Sequence, residues 1–126
     1  MEVFLGEFFY KMDEKGRLLL PRKLIAGLLE GIAYISISPD GCLVLFPART
    51  WSKTKRDTGR LFQPEEVRIK KRKNSWEILI PRNLREHLGR EVTVVGCKDY
   101  VELWEKDKWI LAKREAEEEA TALLAQ

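Results

Sequence analysis

The residues best equipped for chemistry in this chain are cations. Between Arg49 and Lys73 stand Arg49, Lys53, Lys55, Arg56, Arg60, Arg68, Lys70, Lys71, Arg72 and Lys73, opposed only by Asp57, Glu65 and Glu66. The formal net charge is only +3, so the signal lies in the distribution. From Asp99 onward the chain is acidic, with Glu115, Glu117, Glu118 and Glu119 nearly contiguous. That division suggests a polyanion-facing surface in the middle of the chain and a different task for the tail. On charge alone, a solvated face explains the run equally well.

A shorter pattern, Asp13-Glu14-Lys15-Gly16-Arg17, is more specific. An Asp that opens a turn can accept nearby backbone N–H groups. Gly16 supplies the positive φ of a bulged hairpin. Asp13 and Arg17 then flank one turn and can pair across it, which aims the guanidinium. An aimed Arg grips phosphate, or the guanine edge, through two parallel hydrogen bonds. Without a ligand, the same pair is an exposed ion pair of little energetic worth.

Catalytic patterns are missing from the sequence. His87 is the single histidine, in Leu84-Arg85-Glu86-His87-Leu88, with no motif partner. Cys42 and Cys97 fall in expected hairpin turns without the paired spacing of a zinc site. Pro39-Asp40-Gly41-Cys42 carries no phosphate-loop pattern. The expectation is a non-enzyme with no metal, cofactor or small-molecule substrate. Two cysteines are too few for a disulfide framework, and Met1-Glu2-Val3-Phe4 does not open like a signal peptide. No apolar run approaches the ~18–20 residues that span a membrane. A cytoplasmic protein is therefore expected.

The elements that must carry these residues come from an internal repeat. Leu18-Leu19-Leu20-Pro21-Arg22-Lys23-Leu24 returns as Ile78-Leu79-Ile80-Pro81-Arg82-Asn83-Leu84 at an offset of 60. Leu43-Val44-Leu45-Phe46 returns as Val101-Glu102-Leu103-Trp104, and Trp51 as Trp109, at an offset of 58. Matches in the same order at both ends of a unit are a true repeat. Each copy reads β-turn-β-α-β-β. The first strands are Phe4–Met12 and Val67–Lys71, with turns at Asp13–Gly16 and Lys73-Asn74-Ser75. Pro21 and Pro81 suit the first position of a helix, with Leu24, Ile25, Leu28 and Leu84, Leu88 at helical spacing. The paired strands that follow are Ala33–Ser38 with Cys42–Phe46, and Glu91–Val95 with Tyr100–Trp104. Trp51 and Trp109 each begin a helix, the second running on to Leu124.

So few strands per copy leave open edges and an unfinished core, which pairing the copies into one barrel would complete. The predicted fold is α+β and mainly β, a pseudo-twofold double-split β-barrel with a C-terminal helix. The units are repeat one over 4–51, a connection over 52–63, repeat two over 64–109 and a helical tail over 110–126.

The stretch from Gly6-Glu7-Phe8 through Met12-Asp13-Glu14-Lys15-Gly16-Arg17 to Pro21 resembles the MraZ family of the AbrB-like swapped-hairpin class. The resemblance continues through Asp40–Pro47 and Trp51, then Ile78–Pro81, Val94-Val95-Gly96 and Glu102–Glu105. The family pattern sets an Asp, three residues and an Arg in each repeat; Asp13 and Arg17 match it. The resemblance implies a repressor of the division and cell-wall gene cluster, nucleoid-associated, binding double-stranded DNA as a ring-like homo-oligomer. DNA contact is expected at Asp13, Lys15 and Arg17.

Copy two departs from the pattern, with Lys73 where Asp13 is expected and Glu77 where Arg17 is expected. The inverted pair is expected to persist as a brace, while Lys71, Arg72 and Lys73 supply sequence-independent phosphate contact. Arg22 and Lys23, with Arg82 and Arg85, follow the prolines at helix starts, where anions are favoured. In the 52–63 connection only Gly59-Arg60-Leu61-Phe62 is similar to the family's pattern. The tryptophans are expected as core and interface anchors, with Trp76 at a hairpin tip as the exception. Two other readings stay open: a ring-forming structural protein that lost specific DNA reading, and an AbrB-like antitoxin.

Overall fold

The computed structural model describes residues 4–21, 31–48, 64–72 and 75–125. The helix expected after Pro21, the helix expected at Trp51 and the 52–63 connection lie outside the described residues, as do Arg22, Lys23 and Lys73.

Period-two alternation of apolar residues dictates most of what is seen. The strands are β1 (Phe4–Lys11), β2 (Arg17–Leu20), β3 (Ile32–Ile37), β4 (Leu43–Pro47), β5 (Glu65–Arg72), β6 (Ser75–Leu79), β7 (Glu91–Lys98) and β8 (Val101–Glu105). They form one eight-stranded antiparallel sheet in the order β1-β7-β8-β4-β3-β5-β6-β2. Its edge strands, β1 and β2, are joined by the Asp13–Gly16 turn, where the Asp13 N–H donates to the Arg17 carbonyl at 3.0 Å. The sheet thus curls into a nearly closed barrel, which hides edges that would otherwise pair with other chains.

The order of the strands shows how the copies interlock. The first strand of each copy pairs with the third strand of the other: β1 with β7, and β5 with β3. Second strands pair with each other, as do fourth strands. Leu18 pairs with Ile78, its own counterpart at offset 60, and Val44 pairs with Glu102, its counterpart at offset 58. A pseudo-twofold axis therefore runs between these pairs. Inside the barrel, Leu18, Ile35, Leu43, Leu45, Ile78, Ile80, Leu88 and Leu103 are fully buried, so both copies contribute to one core.

Three expectations need correction. The helix after Pro81 is a 3-10 helix over Arg82–His87, with Pro81 just before it rather than inside it. Its N–H groups reach three residues back (Leu84 to Pro81, 2.9 Å; Leu88 to Arg85, 3.1 Å). Six residues with no capping side chain suit a short, tight helix better than an α-helix. Strand β7 runs on to Lys98, so Cys97 lies in a strand and not in a turn. The C-terminal helix α1 (Lys106–Leu124) begins directly where β8 ends, which puts Trp109 within its first turn rather than at its start.

Only the beginning of α1 is packed down. Trp109 stands 5.5 Å from Trp104, ring centre to ring centre, and joins a second apolar cluster with Cys42, Val44, Tyr100 and Ala112 on the outside of the sheet. Its indole N–H donates to Glu7 Oε1 at 2.8 Å, and Lys113 Nζ reaches Glu7 Oε2 at 3.2 Å. The indole bond, ahead of the lysine, holds the Glu7 carboxyl below its ordinary range. Further along, Leu123 and Leu124 are exposed. No described helix is long and apolar enough to cross a membrane.

Candidate nucleic-acid interface

Hairpin one, between β1 and β2, is built around a single carboxylate. Asp13 Oδ1 accepts the Lys15 N–H at 3.0 Å and the Arg17 N–H at 2.8 Å, while Oδ2 accepts Arg17 Nε at 2.6 Å. The Gly16 N–H closes the turn on the Asp13 carbonyl at 3.0 Å, and Gly16 adopts φ +86°. A three-residue hairpin with a left-handed glycine needs this geometry. The Arg17 N–H, and then the guanidinium, hold the Asp13 carboxyl below its usual range, and Asp13 in turn raises Arg17. With Nε committed, Arg17 leaves its two Nη groups without a hydrogen-bond partner among the described residues. Asp13 and Arg17 thus pair across the turn. Lys15 is exposed beside it.

Hairpin two is built differently. Arg17 lies opposite Asp13 at the last rung of hairpin one. Its counterpart Glu77 lies opposite Lys70, and two further rungs follow, Lys71 with Trp76 and Arg72 with Ser75. The second hairpin therefore extends farther before it turns, and a same-length alignment of the two hairpins misplaces residues near the tip. The expected Lys73–Glu77 brace falls partly outside the described residues. Among the described residues, Glu77 accepts Arg72 Nε at 2.8 Å, which braces this hairpin. Trp76 is not an open platform at a tip: it packs against the core, with Lys71 Nζ 5.8 Å from its ring centre.

Alternation along β5 divides the basic run between two faces. Val67 and Ile69 point into the core. Arg68, Lys70 and Arg72 share one outer groove with Arg17 of copy one, alongside Glu66 and Glu77. The structure thus joins Arg17 and Arg72, and places Lys71 apart from them. Arg68, not among the candidate contacts read from the sequence, joins them in this groove, and its spacing from Lys70 and Arg72 marks a single strand face. In the antiparallel β2–β6 ladder, Arg17 pairs with Leu79 and Leu20 with Trp76, so the two hairpin tips leave opposite ends of this face.

The remaining candidates stay chemically quiet. Both cysteines are free thiols. Burial pushes Cys42 up to about 11 and Cys97 up to about 12, which removes the thiolate needed for reactivity. No metal-binding group of His, Cys, Asp or Glu occurs among the described residues.

Comparison with known proteins agrees with this architecture. The family model of the MraZ protein matches residues 3–72 and 74–125. A protein of Roseiflexus castenholzii named transcriptional regulator MraZ is 33% identical over 121 aligned positions, covering 85% of this chain and 84% of the relative. A protein of Moorella thermoacetica with the same name is 31% identical over 136 positions, covering 96% and 94%. A third, from Lachnoclostridium phytofermentans, is 31% identical over 121 positions, covering 85% and 84%. With both stretches of the family model matched and relatives aligned over most of their length, this chain belongs to the MraZ family.

Proposed function

We propose that this protein is a sequence-specific DNA-binding transcriptional regulator in which hairpin one reads bases and copy two grips phosphates. The observation that carries the reading is Arg17, fixed through Nε by Asp13 and with no hydrogen-bond partner at either Nη group among the described residues. A guanidinium held in this way pays little further ordering cost on meeting a guanine edge. Arg68 and Lys70, at alternate positions of β5, supply charge without an aimed geometry and suit backbone contact. Asp13, Lys15, Arg17, Arg68, Lys70 and Arg72 are the proposed contact residues. The relatives' shared name supports the regulatory role.

The finer proposal is repression of the division and cell-wall gene cluster from an operator of tandem short repeats, in the nucleoid of the cytoplasm. A ring-like homo-oligomer would present several hairpins to such an operator together, and multivalency would supply affinity that a single hairpin lacks. The rival reading is a ring-forming scaffold without specific DNA reading, and Glu77 in place of an arginine is the observation in its favour. Gel shift on DNA from upstream of the cluster, at physiological salt with random-sequence competitor, separates the two. Discrimination that Arg17→Ala abolishes supports the regulator; wild-type indifference to sequence overturns it.

A further inference from the structure

The two copies meet closely at Gly16. This residue is buried, and a Cβ built on it would overlap the guanidinium of Arg85. Arg85 comes from the 3-10 helix of copy two, and its Nε, Cζ and Nη2 are the atoms nearest that position on the turn of copy one. The contact is fixed on both sides by one residue, Ile80. The Ile80 N–H donates to the Gly16 carbonyl at 2.8 Å, and Arg85 Nε donates to the Ile80 carbonyl at 2.8 Å. Turn, strand end and guanidinium thus form one closed set of contacts directly beneath Asp13, Lys15 and Arg17.

The repeat supplies a second, independent observation. Counted back along β2 and β6, where the offset of 60 holds, Gly16 precedes Arg17 as Trp76 precedes Glu77, and the counterpart of Arg85 is Ile25. Residue 25 lies outside the described residues, but the residue types alone show that both partners change together. Trp76 packs its own side chain against the core, so hairpin two has no open glycine surface for a guanidinium to cover. The hairpin that keeps the Asp and Arg pair is the hairpin that keeps the glycine and its arginine cover.

We propose that Arg85 is a positioning residue, supplied by copy two, that holds hairpin one in the conformation from which Arg17 reads DNA. The inference rests on the reading role of hairpin one given above. A planar guanidinium can cover a glycine peptide while donating from Nε; a lysine keeps the charge but loses the flat contact. Arg85 therefore acts through the geometry of the turn and not as another phosphate contact.

The test uses the full chain with Arg85→Ala and Arg85→Lys, read in two ways. Without DNA, amide hydrogen exchange is followed at Lys15 and Arg17, whose N–H groups bond to Asp13. Both variants should exchange faster there than wild type, with hairpin two unchanged. With DNA, operator affinity should fall about tenfold in both variants, while random-DNA affinity and the salt slope stay constant. Unchanged exchange in Arg85→Ala overturns the proposal. So does full recovery by Arg85→Lys, or an equal loss on both DNAs with a salt slope shallower by about one, the signature of direct phosphate contact. Should wild type fail to discriminate operator from random DNA, the reading role falls, and the exchange measurement still decides what Arg85 does.

Discussion

Leu18 faces Ile78 across the β2–β6 ladder, and each is the other's counterpart in the repeat. The two side chains are 0% and 1% exposed, so the pseudo-twofold axis passes through solid core. One hydrophobic contact thereby joins copies that cannot close a barrel separately, because β1 needs β7 and β5 needs β3.

Truncating either residue should therefore cost similar stability. Leu18→Ala and Ile78→Ala are each expected to lose about 2–5 kcal/mol in urea unfolding. Because the side chains share one site, the double variant should lose less than the sum. Strongly unequal single losses would show that the copies do not share the core evenly.

The state of Asp13 predicts a pH response confined to acid. Its folded-state carboxyl lies below the ordinary 3.8, chiefly through the Arg17 N–H. A depressed carboxyl contributes order that is fully present above the unfolded value and lost as pH falls through the folded one. The shifts of the Lys15 and Arg17 amides should hence be flat from about pH 5 to 8 and change only in strong acid. Asp13→Asn should remove that acid transition and weaken operator binding. A transition near neutral pH would contradict the assignment.

The groove face of β5 predicts a salt-linked effect without loss of discrimination. Arg68→Ala combined with Lys70→Ala should weaken binding to operator and random DNA alike and make the salt slope shallower by about two. Arg17→Ala should act mainly on the operator. Equal losses of specificity from both variants would end the division of labour between the copies.

Thr93 predicts a gain in stability. It is completely buried on β7, opposite Phe9 and Trp104, and its hydroxyl has no hydrogen-bond partner among the described residues. Thr93→Val keeps the shape and removes the unpaired oxygen, so the urea midpoint should rise by the equivalent of about 1 kcal/mol. A loss of stability would reveal a partner for the hydroxyl.

Much of this protein could be read from local signals. The repeat, the strand alternation and the Asp13–Gly16 turn are written in residues close together in sequence, and each has a local physical cause. Asp13 and Arg17 are four residues apart, so a single turn brings them together and sequence alone could pair them. The basic run was equally visible, but not its division into faces. The register of β5 against β6 decides that Arg68, Lys70 and Arg72 share a groove while Lys71 meets Trp76. The length of hairpin two was misjudged because the offset of 60 holds along β2 and β6 and fails across the turn.

Only the tertiary structure decided what passes between the copies. The pairing of β1 with β7, the seating of Trp109 on Glu7 and the cover of Gly16 by Arg85 join residues far apart in the chain. Their partners are chosen by closing one core around a twofold axis, a condition that no local stretch contains. The sequence by itself determined the internal repeat and the Asp13–Arg17 turn proposed as the reading head. Closure of the barrel decided that the second unit supplies the contacts holding that head in place.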